Sequence, residues 1–371
     1  MKILSLTYKN RNTGWNIQNL TFNGLTLLVG ASGVGKTQIL RTIMDIANIA
    51  KGRSSNGAEW SISFRQDGLS YLWEGAFAAV EDAHPEVLDA PGEAVPVEYE
   101  RLYRINGKHD LLIDRDRESL RLNGQPTVKL EPEKSAIALL REEPDIAPVS
   151  SAFRQIYVVR NVNHGIRISP IRATENTVIR NIDALKRIPN LSAVEQLFLL
   201  YKHKLAEFEQ IKQRFIAIFP FVKDLKFSIG KMFNNASYPV LQMKEHGVEQ
   251  WISQSYISSG MFSTLSHLVA MSLAKDGDVI LVDEFENSLG VNCIDEVTDM
   301  VLDPDVDLQF VITSHHPYII NHIDYQRWKV VTRQGSDVFV HTAADLHIGS
   351  HSKHDAYMQL IQSTAFKTGT L

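Results

Sequence analysis

The chain has 371 residues, 44% of them hydrophobic, which is enough for a large core and more than one minimal domain needs. A formal charge of −5 argues against a surface that grips nucleic acid throughout, and a single cysteine, Cys293, excludes an internal disulfide, as suits a reducing compartment. No apolar run approaches the roughly 18 residues of a membrane span, and the start, Met1 to Leu6, alternates like a strand and lacks the apolar core of a signal peptide, so a cytoplasmic protein with no membrane partner is expected.

In chain order, residues 2–29 read as three strands. Ile3, Leu6 and Tyr8 mark the first, residues 15–22 the second and residues 25–29 the third. The third runs into Gly30-Ala31-Ser32-Gly33-Val34-Gly35-Lys36-Thr37, which spells G-x-x-x-x-G-K-[ST], and Gln38 opens the helical run 38–50. Strand, glycine loop and helix are the context a phosphate-binding P-loop requires. Its glycines let successive N–H groups turn toward phosphate oxygens, and the helix start adds its positive dipole end. Lys36 reaches β- and γ-phosphates, and the Thr37 hydroxyl is a Mg²⁺ ligand. Gly30 to Gln38 are therefore the expected nucleotide-binding residues. Trp15 and Tyr8, upstream of the loop, are read as core.

From 51 to 150 the pattern changes to short alternating pieces joined by Asp67-Gly68, Asn106-Gly107 and Asn123-Gly124, pairs that favour tight hairpin turns. Residues 73–94, acidic and punctuated by Pro and Gly, are expected to be a helix plus an exposed loop. Arg115, Arg117 and Arg121 alternate with acids and are read as a salt-laced surface. A strand is expected over 153–160. Gln155 within it has two open readings, a glutamine that senses Mg²⁺ or its water and a polar residue at a strand edge. The basic stretch Arg160, Arg167, Arg172, Arg180, Lys186 and Arg187 leaves nucleic acid or an acidic partner open. Residues 176–219 carry apolar positions at helical spacing and close at Pro220; two strands follow, over 222–229 and 238–244.

Residues 258–274 read as a helix. Apolar runs at 278–283, 308–313 and 328–332, with helices between the first two and before the third, suggest a parallel sheet. The first run ends in Asp283-Glu284, the form of a Walker B strand, in which Asp283 holds Mg²⁺ and Glu284 directs the attacking water. In the tail, His347, His351 and His354 share helical spacing but have Gly349 and Ser350 among them, and are read as a solvated face.

Two further stretches carry a resemblance. Ile257-Ser258-Ser259-Gly260-Met261 resembles the ABC signature Leu-Ser-Gly-Gly-Gln, matching at Ser258 and Gly260 and departing at Ser259 and Met261. Ser258 stands 25 residues before Asp283, a spacing that fits the family. Thr313-Ser314-His315-His316-Pro317 resembles the switch-histidine segment, with His315 in the role and His316 as alternate. Asn287-Ser288-Leu289-Gly290 occupies the D-loop position. In this order the motifs resemble the ABC ATPase superfamily. The 222 residues from Lys36 to Ser258 are too many for a transporter module, and the motif style is similar to the RecF/SMC/OLD-like branch, closest to the stand-alone ATPases of bacterial antiphage loci (OLD, PtuA and PARIS types).

The resemblance implies an α/β P-loop ABC-ATPase head with a mixed β-sheet, a β-rich insert after the P-loop helix, a short helical insert and no long coiled coil. The implied division is 1–50 with the P-loop, 51–150 as the insert, 151–240 as the helical insert with flanking strands, 241–335 with signature, Walker B, D-loop and switch histidine, and 336–371 as a tail. It further implies ATP and Mg²⁺, hydrolysis by Glu284, His315 and Lys36, and a head-to-head dimer, alone or in a larger oligomer, in which Ser258, Ser259 and Gly260 cap the partner's γ-phosphate. The 36 residues after position 335 are too few for the Toprim nuclease of OLD proteins, so a separately encoded effector is expected. A DNA-repair ATPase of the RecF kind and a non-hydrolysing ATP-bound scaffold are the alternatives.

Overall fold

Buried and less buried residues alternate along the strand over 58–66, while the strands over 25–29, 279–282 and 309–313 are buried at every position, and this contrast organises the sheet. The computed structural model describes residues 1–80, 94–107, 109–128, 130–159, 179–186, 188, 191–231, 237–287, 289, 291–303, 307–349 and 352–370. In chain order the elements are β1 (Lys2–Asn10), β2 (Asn16–Thr21), β3 (Leu25–Val29), α1 (Lys36–Ala50), β4 (Ala58–Gln66), β5 (Leu69–Phe77), β6 (Val97–Ile105), β7 (His109–Asp116), β8 (Leu120–Leu122) and β9 (Gln125–Pro126). Next come α2 (Ala136–Leu139), α3 (Ala147–Ala152), β10 (Ile156–Val159), α4 (Ile182–Lys186), α5 (Ala193–Lys202), α6 (Ala206–Ile218), β11 (Val222–Lys231), β12 (Ser237–Glu245), β13 (Ile252–Ser253) and α7 (Ser259–Leu273). The last are β14 (Val279–Val282), α8 (Val291–Leu302), β15 (Gln309–Thr313), α9 (Pro317–His322), β16 (Trp328–Gln334), β17 (Asp337–Thr342), α10 (Lys353–Gln362) and α11 (Thr364–Thr368).

Two compact units result: Met1–Val158 with Asp276–Phe285 and Val306–Leu371, and Val159–Lys275 with Glu286–Asp305. The first is built on one mixed sheet in the order β10, β14, β15, β3, β16, β17, β2, β1, then β4 to β9 in sequence. Strands β14, β15, β3 and β16 run parallel, and β14, β15 and β3 are buried at every position, as strands covered on both faces must be. Strands β4 to β9 form an antiparallel meander. Asp67 and Asn123 (φ 50° each) with Gly68 and Gly124 (φ 79° and 76°) supply the left-handed pairs that a two-residue hairpin turn demands. Helix α1 lays Ile39, Ile43, Ile46 and Ala47 into the core shared with Trp60, Phe64, Trp73 and Phe153.

Three expectations are corrected here. Residues 73–77 belong to β5, because Trp73 and Phe77 are fully buried in that core; residues 81–93 lie outside the described residues. Arg115 is interior, at an inward position of β7 (6% exposed), where the carbonyls of Glu131 and Lys134 accept from its guanidinium at 2.9 and 2.6 Å. The described residues of the stretch 176–219 form three helices, α4, α5 and α6, and residues 176–178, 187 and 189–190 lie outside the described residues. A capping box at Ser192 and Glu195 starts α5, and left-handed Lys204 (φ 55°) separates it from α6.

In the second unit, α5, α6 and α7 share a core with the sheet β11–β12–β13, built from Leu197, Phe208, Phe215, Phe227, Leu241 and Leu268 among others. No described helix exceeds 15 residues, so none forms a long coiled-coil arm, and none is long and apolar enough to cross a membrane.

Candidate nucleotide site

Register places the site. Val282 pairs with Ile312, and Ile312 with Leu27, all in parallel. The carboxyl ends of three adjacent strands therefore open on one edge: β14 into Asp283-Glu284, β15 into Ser314-His315, and β3 into the glycine loop. Ligands of open parallel sheets bind at such an edge.

Gly35 is the N-cap of α1 and is left-handed (φ 107°); a Cβ there would lie 2.3 Å from the Trp15 ring, so this position accepts only glycine. The close approach fixes where the helix begins and thus where Lys36 and Thr37 point. Lys36 is 6% exposed, and its Nζ donates to the Gly30 and Ala31 carbonyls, each at 2.8 Å, so the ammonium lies across the loop. The Thr37 hydroxyl donates to Asp283 Oδ1 at 3.0 Å. Gln38, the next residue of α1, is half-buried.

Thr313, the last residue of β15, ties these pieces together, and its motif drew attention only to the histidine beyond it. Its hydroxyl donates to Asp283 Oδ1 at 2.7 Å and accepts from the Glu284 N–H at 2.7 Å, and its carbonyl accepts from the Phe285 N–H at 2.9 Å. Three bonds thus pin residues 283–285 to the end of β15. Glu284 needs them, since its φ of 47° is an uncommon conformation for a residue with a Cβ. Its side chain is exposed, as is that of His315. His316 is half-buried and its N–H donates to the Ser314 hydroxyl at 3.0 Å.

The oxygen donors fit a magnesium ion. A hydroxyl and a carboxylate, already in contact beside the phosphate loop, match the one or two protein ligands that Mg²⁺ would take, with phosphate and water completing its shell. Among the described residues no group of three His, Cys, Asp or Glu side chains forms an all-protein metal site.

The structure does not bring every expected residue to this edge. Gln155 immediately precedes β10, and its Oε1 accepts from the Met1 amine at 2.9 Å; the same amine donates to the Gly277 carbonyl, at the start of β14 and not at its Asp283 end. Gln155 thus sits at the end of β14 opposite Asp283, which corrects the expected Mg²⁺ role. Ser258, Ser259 and Gly260 belong to the other unit. There Ser258 is exposed and caps α7, its hydroxyl accepting from the Met261 N–H at 3.3 Å. Of the D-loop segment, Ser288 and Gly290 lie outside the described residues, as do Arg160, Arg167, Arg172 and Arg187 of the basic stretch and His351 of the tail. Trp15 and Tyr8 are buried at 8% and 4% exposure.

The family profile described as "AAA domain, putative AbiEii toxin, Type IV TA system" matches residues 25–321, from β3 through the switch-histidine segment. The chain belongs to this AAA-domain family. As a family member it is a P-loop NTPase, and the fold agrees with the RecF/SMC/OLD-like branch that its motifs resemble. Among solved structures, an SMC head bound to the C-winged helix domain of ScpA is similar at 15% identity, covering 92% of this chain and 97% of that one with a TM-score of 0.51. Lower scores come from the Pyrococcus furiosus SMC head with an extended coiled coil bound to the C-terminal domain of ScpA (12% identity, 93% and 98% covered, 0.46) and the Thermotoga maritima SMC head (13%, 92% and 99%, 0.41). No curated protein matches the chain.

Proposed function

We propose that this AAA-domain protein binds and hydrolyses ATP with Mg²⁺ in the cytoplasm and acts as a nucleotide-gated regulator of a separately encoded effector in bacterial antiphage defence. The observation that carries the ATPase reading is the convergence of Lys36, Thr37, Asp283, Thr313 and Glu284 at one sheet edge. The defence setting is supported by the wording of the family's description, "putative AbiEii toxin, Type IV TA system", and by the resemblance to stand-alone defence ATPases.

In this reading Lys36 turns from its own loop carbonyls to the β- and γ-phosphates. Thr37 and Asp283 would hold Mg²⁺, which would supply charge neutralisation at the phosphates. Glu284, whose backbone N–H is held by the Thr313 hydroxyl, would orient and deprotonate the attacking water, and His315 would donate to the γ-phosphate. The work is positioning and electrostatics. The N-terminus of α7, with Ser258, Ser259 and Gly260, would complete the γ-phosphate side of a second copy's site, since N–H groups at a helix start suit an anion. Closure of two copies would then report ATP to the effector.

Steady-state hydrolysis and sedimentation with and without ATP test this. Glu284→Gln should cut turnover by about 10²–10⁴-fold, the range for losing a general base, and trap an ATP-dependent dimer. Lys36→Ala should lose nucleotide affinity and the dimer together. Equal turnover in wild type and Glu284→Gln would remove the assigned base, and a monomer in saturating ATP would remove the shared site.

A further inference from the structure

The P-loop's outer side is held by parts of the chain far from it in sequence. Val34, in the middle of the loop, is 5% exposed. What covers it includes Gly369, just past α11. A Cβ at Gly369 would lie 2.3 Å from Val34 Cγ1 and 3.3 Å from the Ala31 Cβ, and the residue is left-handed (φ 74°). Backbone touches side chain there with no room for another atom. The segment is anchored: the Gly369 carbonyl accepts from the Arg333 N–H at 2.8 Å, at the end of β16, and Ala365 of α11 is buried. The Ser363 hydroxyl caps α11 by accepting from the Phe366 N–H at 3.2 Å.

Arg333 makes the second hold. Its Nη1 donates to the Gly33 carbonyl at 3.4 Å and its Nε to the Gly335 carbonyl at 2.6 Å. Its guanidinium also lies 5.5 Å from the centroid of Trp15, the ring that packs on Gly35. Loop residues 31, 33, 34 and 35 are thus each met from outside by Gly369, Arg333 or Trp15. A loop that must present its N–H groups to phosphate gains affinity when its conformation is set beforehand.

We propose that residues 364–370 and Arg333 form a clasp that pre-sets the P-loop, so that docking of this segment and nucleotide binding strengthen each other. The proposal rests on the reading that the P-loop binds ATP. Linkage requires the coupling to run both ways: loosening the clasp weakens nucleotide binding, and nucleotide tightens the clasp.

The test titrates a fluorescent ATP analogue with Mg²⁺ into the full chain as wild type, Gly369→Val, Arg333→Ala and the double variant, with Met358→Ala on the exposed face of α10 as control. Hydrogen exchange of residues 364–370 is followed with and without nucleotide in wild type and Lys36→Ala. We expect each clasp variant to bind about fivefold more weakly or worse, the double variant to fall short of the product of the two, and the control to match wild type. Exchange over 364–370 should slow on adding nucleotide in wild type and stay unchanged in Lys36→Ala. Arg333 is exposed, so its variant keeps the test open if Gly369→Val does not fold. Wild-type affinity in Arg333→Ala together with nucleotide-independent exchange would overturn the clasp. Failure of wild type to bind the analogue would overturn the nucleotide reading itself.

Discussion

Glu100 and Asp283 are carboxylates of the same compact unit, yet they are satisfied in opposite ways. Glu100, on β6, is fully buried. It accepts from the Trp73 indole at 3.0 Å, the Ser135 hydroxyl at 2.6 Å and the Ala136 N–H at 2.6 Å, with Arg115 3.8 Å away. Those donors are a ring, a backbone amide and a helix cap, none of which can leave without unpacking the lobe. Burial lowers the pKa of Arg115 itself, with Glu100 and Glu133 opposing the shift. Asp283 is half-buried and accepts from two hydroxyls, Thr37 and Thr313, on the same oxygen. A hydroxyl rotates, and in the proposed site Thr37 would exchange its bond to the carboxylate for one to a metal. One carboxylate closes a structure and the other is left available for exchange.

The largest stability effect should come from Glu100. Glu100→Ala leaves Arg115 and three donors without their shared acceptor, and breaking a buried pair in this way costs about 3–5 kcal/mol. Urea unfolding should show it, while the folded fraction still binds nucleotide. A loss below about 1 kcal/mol would mean that the site relaxes and that Glu100 is no more structural than Asp283.

Asp283→Asn should do the reverse. Its unfolding free energy should stay within about 1 kcal/mol of wild type, because an amide oxygen still accepts from the hydroxyls. The part of nucleotide binding that disappears in chelator should be missing from the variant. Undiminished Mg²⁺ dependence would take Asp283 out of the metal site.

Arg101 and Asp114 give the lower limit. They face solvent on β6 and β7 at 45% and 42% exposure, 3.3 Å apart. Arg101→Ala should change stability by less than about 1 kcal/mol, and added salt should erase the difference. A larger, salt-resistant loss would show that this exposed pair behaves like the buried one.

The motifs were legible because phosphate and metal chemistry demands particular atoms at fixed spacing along a strand, a loop and a helix. Gly30 to Thr37 and Asp283-Glu284 could be read without a fold, and so could the tight turns at Asp67-Gly68 and Asn123-Gly124, where only certain residues accept a positive φ. Side-chain direction was harder to read. Arg115 among acids looked like surface, and only the pleat of β7 turns it inward. Gln155 looked available to the metal until its place before β10 set it beside Met1 and Gly277. The tail, with weak periodicity, concealed β17, α10 and α11.

By itself, then, the sequence determined which local chemistry each segment carries: a phosphate loop, an acidic strand end, a Ser-capped helix. The tertiary structure alone decided which of these meet. Thr313 holding Asp283 and Glu284, and Gly369 seated on Val34, join residues 30 and 335 positions apart. Such contacts leave no periodic trace, because they depend on which strands neighbour one another and on the space between side chains, and neither is encoded at any fixed spacing along the chain.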